Sequence, residues 1–532
     1  MSDAPSRDAP SRSTLFRDVL VYRADAPGHA VGPTHVRVTG NRIAAIGADI
    51  GRAPAGSVAE PAATGPSAPG AGADWVVEGH GHHLLVPGLI NAHFHSPANH
   101  LKGDLPSMPL ELFMLFETPA GVPRPSPRAA YLRTMLAALE MLRTGTTAVQ
   151  DDAFFLPAPD PEIIDAVLAA YADCGIRAAV ALDQPELPEA AKLPFLADLA
   201  PAGIRADVLA PGPRSRAELL ELYGHLFDAW HGAAGGRLTA AVSISAPQRV
   251  SVEYFAALDD LSARHGVPLY AHMLETRAQR VLATAQPRFA GRSLVQYTAG
   301  LGLLTARTNV IHAVWTDDAD LDAIAAAGSV VVHNPVSNLR LGSGVMPLRA
   351  MLDRGIPVAL GVDEAICNDA ADMWNVVRTA GLIHNITGLD SERWPRPAEV
   401  LDALWAGGAA AMLRSDELGR VEPGYLADLT LLDLHAPAFT PRTDLAGQLV
   451  YCESGGSVAL TMVDGVVVAE HGAVTSVDEA ALLAEARELF AAERPALLAH
   501  RSAAGRLYPT YQRMVRQAAG VDVGMTRWAG NL

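Results

Sequence analysis

The sequence predicts an α/β protein, a (β/α)8 barrel of the TIM type with a small β-sandwich domain built from both chain ends. Apolar strand-like runs alternate with helical stretches eight times over roughly 300 residues, and short strand-like runs flank this region on both sides. An open doubly wound sheet is the alternative, which the lack of a glycine-rich phosphate motif after the first strand disfavours. Apolar residues make up 49% of the 532 residues, enough to bury a large core.

The N-terminal part divides into a tail and the first half of the sandwich. Residues 1–14 repeat DAPSR and lack the apolar core of a signal peptide, which predicts a disordered tail and a cytoplasmic protein. Residues 15–84 alternate short apolar runs with turn residues and form the N-terminal part of the sandwich. Residues 51–74 are rich in Ala, Gly and Pro and are predicted to be a flexible loop.

The barrel is assigned to residues 85–414. Its predicted strands are 88–94, 146–150, 176–183, 238–245, 267–273, 308–314, 329–333 and 357–362. Apolar residues recur at helical spacing between them, as at Leu132, Met135 and Leu139. The predicted helices are 128–143, 161–174, 215–230, 252–265, 317–327 and 370–385, with a further helical region at 395–414.

The C-terminal part completes the sandwich. Short strands are predicted over residues 415–477, at 428–433, 449–452, 458–463 and 465–469. Residues 478–532 form a C-terminal helix, over about 478–498, and a tail, and 505–532 carry no assignment.

Charge and cysteine content exclude several classes of protein. The net charge of −17 argues against a nucleic-acid-binding protein, which normally presents a basic surface. No apolar run reaches 18 residues, so no membrane span is expected. The three cysteines lie far apart and predict neither a disulfide framework nor a Cys-x-x-Cys zinc site.

Candidate metal ligands stand at the carboxyl ends of the predicted barrel strands, where catalytic groups of such barrels lie. His93 and His95 are two residues apart at the end of the first strand, so both imidazoles point to one face. The fifth, sixth and eighth strands end at His272, His312 and Asp363. Three histidines and a carboxylate suit Zn²⁺ or Fe²⁺ with room left for a water.

This donor set predicts hydrolysis of a small molecule. A bound divalent ion lowers the pKa of water to roughly 7 and so supplies hydroxide at neutral pH. A proton carrier is needed for the leaving group, and Glu275, three residues beyond His272, is the best candidate.

These motifs resemble the amidohydrolase superfamily, in the branch of the S-adenosylhomocysteine, methylthioadenosine, guanine and cytosine deaminases and of atrazine chlorohydrolase. The resemblance covers residues 15 to 500. The matching segments, in order, are Pro87–His95, Gly145–Thr147, His272–Glu275, His312, His333–Asn338, Gly361–Asp363, Glu422–Asp428 and Val463–Gly465.

The resemblance implies that His93, His95, His272 and Asp363 bind one divalent ion, with Zn²⁺ preferred and Fe²⁺ as the alternative. It implies that Glu275 shuttles a proton to the substrate ring or leaving group. His312 would then orient the attacking hydroxide, and Asp363 would also accept a proton from the metal-bound water.

The lysine content selects the mononuclear subtype. Binuclear members of the superfamily often bridge two metals with a carboxylated lysine on a barrel strand. Neither Lys102 nor Lys192, the two lysines of the chain, falls in a predicted strand.

Substrate contacts are less defined. Nucleoside-type members carry a His-Ala-Pro motif where this chain has Ser245-Ala246-Pro247, a departure that counts against a purine nucleoside. Glu117 resembles the carboxylate those enzymes use on a ribose. His100 lines the pocket or faces a helix, and Trp315 stacks on a flat ring or packs in the core.

The leading function is hydrolytic deamination of an aminated nitrogen heterocycle. Displacement of chloride, an alkylamine or a thiolate uses the same groups and is the alternative. Opening of a ring amide is a weaker hypothesis, because the enzymes that catalyse it are usually binuclear. A metal-free binding protein is a remote alternative, because such proteins usually lose their metal ligands. A homodimer or higher homo-oligomer acting on a small molecule is expected by analogy.

Overall fold

The computed structural model describes residues 13–50, 74–155 and 157–528. Residues 51–73 of the predicted flexible loop 51–74 and nearly all of the predicted N-terminal tail lie outside the described residues. Ser13 and Thr14, which were assigned to that tail, already belong to the first strand. Within the described residues, no helix is both long and apolar enough to span a bilayer.

Eight successive stretches of parallel strand form the barrel, as predicted. The N-terminal domain first supplies β1 to β5, at Ser13–Tyr22, Ala30–Thr39, Arg42–Gly47, Trp75–Glu78 and His83–Pro87. The barrel strands follow as β6 to β14, at Leu89–Phe94, Thr146–Phe154, Arg177–Asp183, Leu238–Ala240, Val242–Ser243, Leu269–Met273, Thr308–His312, Val330–His333 and Val358–Leu360. The predicted fourth strand is interrupted at Ala241 and so contributes both β9 and β10.

The barrel closes between its first and last strands. Strands β6 to β9 and β10 to β14 pair in sequence order. The amide of Ala241 donates to Val180 and joins the two groups. Phe94 bridges in parallel to Asp363, whose amide donates to the His93 carbonyl over 2.9 Å. This closure places the ends of the first and eighth strands side by side.

Side chains of the barrel strands alternate between two buried cores, as the pleat of a strand requires. Val330 and Val332 contribute to a cluster inside the barrel, whereas Val331 contributes to the larger cluster between the strands and the surrounding helices. The interior is therefore filled by side chains and is not a pore.

Helices surround the barrel and continue to the C-terminus. Many begin at a polar cap, as at Ser126, Asp160 and Ser251, whose side chains accept from backbone amides of the first turn. The main helices, α1 to α16, are Leu110–Glu117, Pro127–Arg143, Pro161–Cys174, Ala202–Leu209, Arg216–Trp230, Val252–His265, Arg277–Ala285, Leu294–Gly300, Asp318–Ala327, Pro335–Arg340, Leu348–Leu352, Met373–Ile383, Pro397–Asp402, Leu445–Tyr451, Glu479–Ala504 and Tyr508–Ala519.

Strands from both chain ends form one shared unit, as predicted. C-terminal strands β15 to β18, at Leu429–Asp433, Val458–Val463, Val466–Glu470 and Ala473–Val474, join the N-terminal strands in a nine-stranded mixed sheet. The contact between the halves is the antiparallel pair of β15 and β5. Phe16, Val36 and Leu85 from one end pack with Leu429 and Met462 from the other in one apolar cluster.

One predicted strand is wrong, and the C-terminus is more helical than predicted. Residues 449–452 lie at the end of α14, because Asp444 caps this helix and Leu445 and Leu449 fall on one buried face. A short apolar run does not by itself distinguish a strand from a helix. Helix α15 extends six residues beyond the predicted end at residue 498, and α16 occupies part of the unassigned tail.

Candidate active site

Three histidines and an aspartate converge at the carboxyl ends of the barrel strands. The Nε2 atom of His272 lies 3.2 Å from Nε2 of His93 and 3.3 Å from Nε2 of His95. The Oδ1 atom of Asp363 is 3.6 Å from both of the latter nitrogens. All four side chains are buried, with exposures between 1% and 7%.

These separations fit a divalent metal ion. Ligand atoms about 2.0–2.1 Å from a tetrahedral ion are separated by about 3.3 Å, close to the distances found here. Lysine takes no part in the cluster, because Lys102 pairs with Glu140 and Lys192 with Glu189. The predicted placement of both lysines outside the barrel strands is confirmed.

Hydrogen bonds to backbone carbonyls leave the converging nitrogens available as ligands. The Nδ1 atom of His95 lies 2.5 Å from the carbonyl oxygen of Asp152, and Nδ1 of His272 lies 2.7 Å from that of Ser245. A carbonyl can only accept, so each Nδ1 carries the proton and each Nε2 presents a lone pair. Metal-binding histidines are commonly oriented in this way.

Burial also sets the charge state of the cluster. It lowers the pKa of His93 to about 3, and it lowers the pKa of His272 together with the charges of the neighbouring imidazoles. Burial opposes ionisation of Asp363, but the hydrogen bond with His93 and the charge of His312 hold its pKa below the ordinary value. Neutral imidazoles beside a carboxylate are the state that a divalent ion binds.

Two titratable side chains, His312 and Glu275, face this cluster. The Nε2 atom of His312 is 3.6 Å from Oε2 of Glu275 and 3.7 Å from Oδ2 of Asp363. Its Nδ1 atom lies 3.0 Å from Oδ1 of Asn338, which fixes the ring. Burial raises the pKa of Glu275, and the charges of Asp363 and Glu111 raise it further, so the protonated form of this group is favoured.

Several residues at these strand ends adopt the left-handed backbone region. The φ angles are +74° at His312, +66° at Asp363, +58° at Ser245 and +55° at Leu274. Such conformations cost roughly 1–3 kcal/mol each for non-glycine residues and cluster at functional sites. The turns aim the side chains that follow the barrel strands into the site.

Two adjoining cavities open beside the cluster. An inner cavity of 40 Å³ is lined by Arg249, His272, Glu275 and His312. An outer cavity of 370 Å³ is mainly apolar and extends to the C-terminal helix α15. His95, Phe154 and Glu364 line both cavities, which therefore meet beside the cluster of three histidines and Asp363.

Glu117 and His100 line the outer cavity, and Trp315 lines neither cavity. Glu117 is 3% exposed, and apart from the neighbouring Glu364 carboxyl its oxygens have no partner among the described residues. The Nδ1 atom of His100 also lacks a hydrogen-bond partner there. Trp315 is fully buried and donates to the Ser343 carbonyl over 2.7 Å, which agrees with the alternative of core packing.

Sequence reasoning missed other residues of the site. Asp152 lies two residues beyond the predicted second strand, and its carbonyl orients His95. Arg249 follows Ser245-Ala246-Pro247, the segment that differs from the His-Ala-Pro motif, and it lines the inner cavity. Phe490 and Leu497 of α15 line the outer cavity and lie more than 390 residues beyond His95 in the chain. A strand predicted through Asp152 would have found the first, whereas no local pattern marks the others.

The barrel and its buried His-His-His-Asp cluster define a metal-dependent hydrolase. Residues 84–468 match the model of the amidohydrolase family. The chain is 34% identical over 412 residues to a 5-methylthioadenosine/S-adenosylhomocysteine deaminase of Nitratidesulfovibrio vulgaris, covering 77% of this chain and 85% of that protein. It is 30% identical over 407 residues to a 5'-deoxyadenosine deaminase of Methanopyrus kandleri, covering 76% and 85%. The chain belongs to the amidohydrolase family.

Solved structures agree with this assignment. An adenosine deaminase from Xanthomonas campestris with bound zinc superposes with a TM-score of 0.74 at 26% identity, covering 92% of this chain and 100% of that one. The zinc-bound atrazine chlorohydrolase of Arthrobacter aurescens TC1, at 23% identity, gives 0.74 with 90% and 99% covered and shares the fold. The predicted class, a deaminase-like hydrolase of carbon–nitrogen bonds other than peptide bonds, is confirmed.

Proposed function

We propose that this protein is a zinc-dependent deaminase that removes the amino group from the purine ring of an adenosine-type nucleoside with a modified 5' position. The observation that carries the proposal is the buried metal-ligand cluster faced by Glu275 and His312 at the junction of the two cavities. The substrates named for the relatives above support the nucleoside. The replacement at Ser245 argues for a changed contact to it.

His93, His95, His272 and Asp363 are proposed to hold one Zn²⁺, with Fe²⁺ as the alternative. Three nitrogens and one oxygen suit either ion. The Nδ1 hydrogen bonds of His95 and His272 fix the tautomer in which Nε2 binds the metal. The zinc in the related adenosine deaminase structure supports Zn²⁺.

The remaining residues handle protons around the reacting carbon. A bound divalent ion lowers the pKa of water and supplies hydroxide at neutral pH. Asp363 would accept a proton from the attacking water, and Nε2 of His312, which lies 3.7 Å from Oδ2 of Asp363, would orient the attacking oxygen. Glu275, whose pKa is raised by burial, would donate its proton to a ring nitrogen. The proton accepted by Asp363 would pass to the departing amino group, which leaves as ammonia. The proton lost from the new hydroxyl as it becomes a carbonyl would restore Glu275.

The cavities set the size and polarity of the substrate. The reacting ring would lie at the junction of the two cavities, with its reacting carbon directed towards the inner cavity and the proton-handling residues. Glu117 lines the outer cavity, and apart from the contact with the Glu364 carboxyl its acceptor atoms have no partner among the described residues, which suits the hydroxyl groups of a ribose. The outer cavity, bounded by Phe155 and Phe490, suits an apolar 5' substituent, and His100 lies at its wall.

The assembly and the location of the protein stay predictions. A homodimer or higher homo-oligomer is expected by analogy with other enzymes. Light scattering after size exclusion tests this, because a monomeric mass contradicts it. The cytoplasmic location rests on the predicted lack of a signal peptide, and fractionation of the source cells tests it.

Mass spectrometry and ammonia release from zinc-loaded protein test the function. The substrates are adenosine, 5'-deoxyadenosine, methylthioadenosine, S-adenosylhomocysteine, guanine, cytosine and a chlorotriazine. We expect replacement of the amino group on the adenosine-type compounds. The Glu275→Gln variant should lose about 10²- to 10⁴-fold in kcat, the usual contribution of general acid–base catalysis, with zinc content unchanged. Glu253→Gln, which alters an exposed carboxylate on α6, is the matched control.

Two outcomes contradict the proposal. Loss of chloride without loss of ammonia supports the alternative, displacement of another leaving group. Full activity of Glu275→Gln on a nucleoside would show that the proton carrier is another residue.

A further inference from the structure

Arg249 is a cation in the candidate active site that has no ion-pair partner within the described part of the chain. Its Nη1 atom donates to Oγ of Ser245 over 3.0 Å. Among the described residues, no carboxylate oxygen lies within 4.0 Å of its guanidinium nitrogens, whereas most other arginines of the barrel form such pairs, as Arg280 does with Asp317. A partly buried guanidinium with several unused donors is costly unless a partner is supplied.

The position of Arg249 places this cation beside the reacting groups. It lines the inner cavity together with His272, Glu275 and His312. Burial is the main cause of the altered pKa values of Glu275 and His272, and the charge of Arg249 contributes to both. A molecule that occupies the inner cavity therefore meets the guanidinium.

Local structure explains why Arg249 reaches this cavity. Ser245 lies two residues beyond β10 in the left-handed region, and its carbonyl accepts from His272. The amide of Arg249 then donates to the Ala246 carbonyl in a tight turn, and its own carbonyl accepts from Glu186 and Leu187. Ser245 is smaller than the histidine of the His-Ala-Pro motif and offers Arg249 one hydroxyl acceptor. The other N–H donors of the Arg249 guanidinium remain available to a ligand.

We propose that Arg249 binds the substrate, donating hydrogen bonds to an in-plane acceptor of the ring system away from the reacting carbon. For an aminopurine nucleoside the acceptor is a ring nitrogen, N3 or N7, and for an oxo-substituted ring it is a carbonyl oxygen. A guanidinium is suited to either, because its planar donors align with in-plane lone pairs. The inference rests on the proposed function and names the group that compensates for the missing histidine.

Removing the guanidinium and the acceptor in turn tests the contact. Wild-type protein and Arg249→Met are assayed with adenosine, 3-deazaadenosine and 7-deazaadenosine. We expect the variant to lose about 10- to 100-fold in kcat/KM on adenosine, the range that a charge-assisted hydrogen bond supplies. The loss should vanish on the analogue that lacks the contacted nitrogen. Arg216→Met, which removes a half-exposed arginine at the start of α5, is the control.

Either of two results overturns the inference. An equal loss on all three compounds means that Arg249 supports the site without contacting the ring, and no loss on adenosine means that it makes no contact.

A binding measurement separates this inference from the proposed function. Calorimetry with zinc-loaded Glu275→Gln, with and without Arg249→Met, is carried out with the three nucleosides, guanine and cytosine. If wild type deaminates none of the nucleosides, the proposed function fails. Weaker binding of an acceptor-bearing ring to the double variant still supports the contact, and equal binding of every ring to both proteins overturns it.

Discussion

Replacement of Arg177 by methionine should destabilise the protein severely, because this residue connects the barrel to the shared sheet. Its guanidinium lies on β8 and pairs with Asp428 through Nε at 2.7 Å and Nη2 at 3.0 Å. Nη2 also reaches Asp464 over 2.9 Å. The side chains of Arg177 and Asp428 are only 2% and 4% exposed, so water cannot replace the lost partner.

The magnitude follows from what remains after the change. Asp428 keeps one hydrogen bond, from the Asp464 amide at 2.8 Å, and becomes a buried carboxylate without a cation. Breaking a buried pair in this way costs about 3–5 kcal/mol of unfolding free energy. Combining Arg177→Met with Asp428→Asn removes the stranded charge as well, so the double variant should be more stable than Arg177→Met.

Urea denaturation followed by circular dichroism measures these differences. Arg42→Met is the control, because the pair of Arg42 with Glu417 is 45% and 32% exposed and should contribute about 0–1 kcal/mol. If Arg177→Met costs no more than this control, or if the double variant is less stable than the single one, the assigned role of the buried pair is wrong.

Three further predictions concern the candidate metal site. Asn338→Leu removes the acceptor that fixes the His312 ring, so kcat/KM should fall about 10- to 100-fold. The zinc content, measured by mass spectrometry, should stay the same. Loss of zinc would instead show that Asn338 supports the metal. Removal of the metal with a chelator should lower the unfolding temperature, and zinc at 100 times its Kd should restore about 2.7 kcal/mol of stability; an unchanged transition would show that folding does not depend on the ion. Burial lowers the pKa of His93 to about 3, so the unfolded chain binds more protons than the folded one between this value and the ordinary pKa of about 6.5. Stability of the metal-free protein should therefore be greatest above pH 6.5 and fall as the pH is lowered towards 3, with a smaller fall for His93→Asn; an equal fall in both proteins would assign the effect to other groups.

Much of the barrel could be predicted because its signals are local. Strand 177–183 has a short apolar centre at residues 178–182. Helix 161–174 begins at a cap and ends at a glycine, Gly175, with φ of +89°. The strand predicted at 449–452 was wrong because a four-residue apolar run fits the periodicity of a strand and that of a helix. Only the cap at Asp444 and burial of Leu449 against the barrel helices favour the helix.

The sequence by itself determined the donor set of the candidate site. Residues two apart on a strand face the same way, which pairs His93 with His95, and the ends of parallel strands share one rim, which brings His272, His312 and Asp363 towards them. These rules depend on local spacing and on the fold class, and both are readable in one chain.

Only the tertiary structure decided how these groups are arranged and what surrounds them. Contacts between segments distant in the chain set the separations near 3.3 Å and the proton positions on the imidazoles. They also leave the guanidinium of Arg249 without an ion-pair partner among the described residues and bring α15 to the wall of the outer cavity. Closure of the barrel creates those contacts. Because burial and the lack of a partner are properties of the packed molecule, the substrate side of the site could not be predicted from spacing, whereas its metal side could.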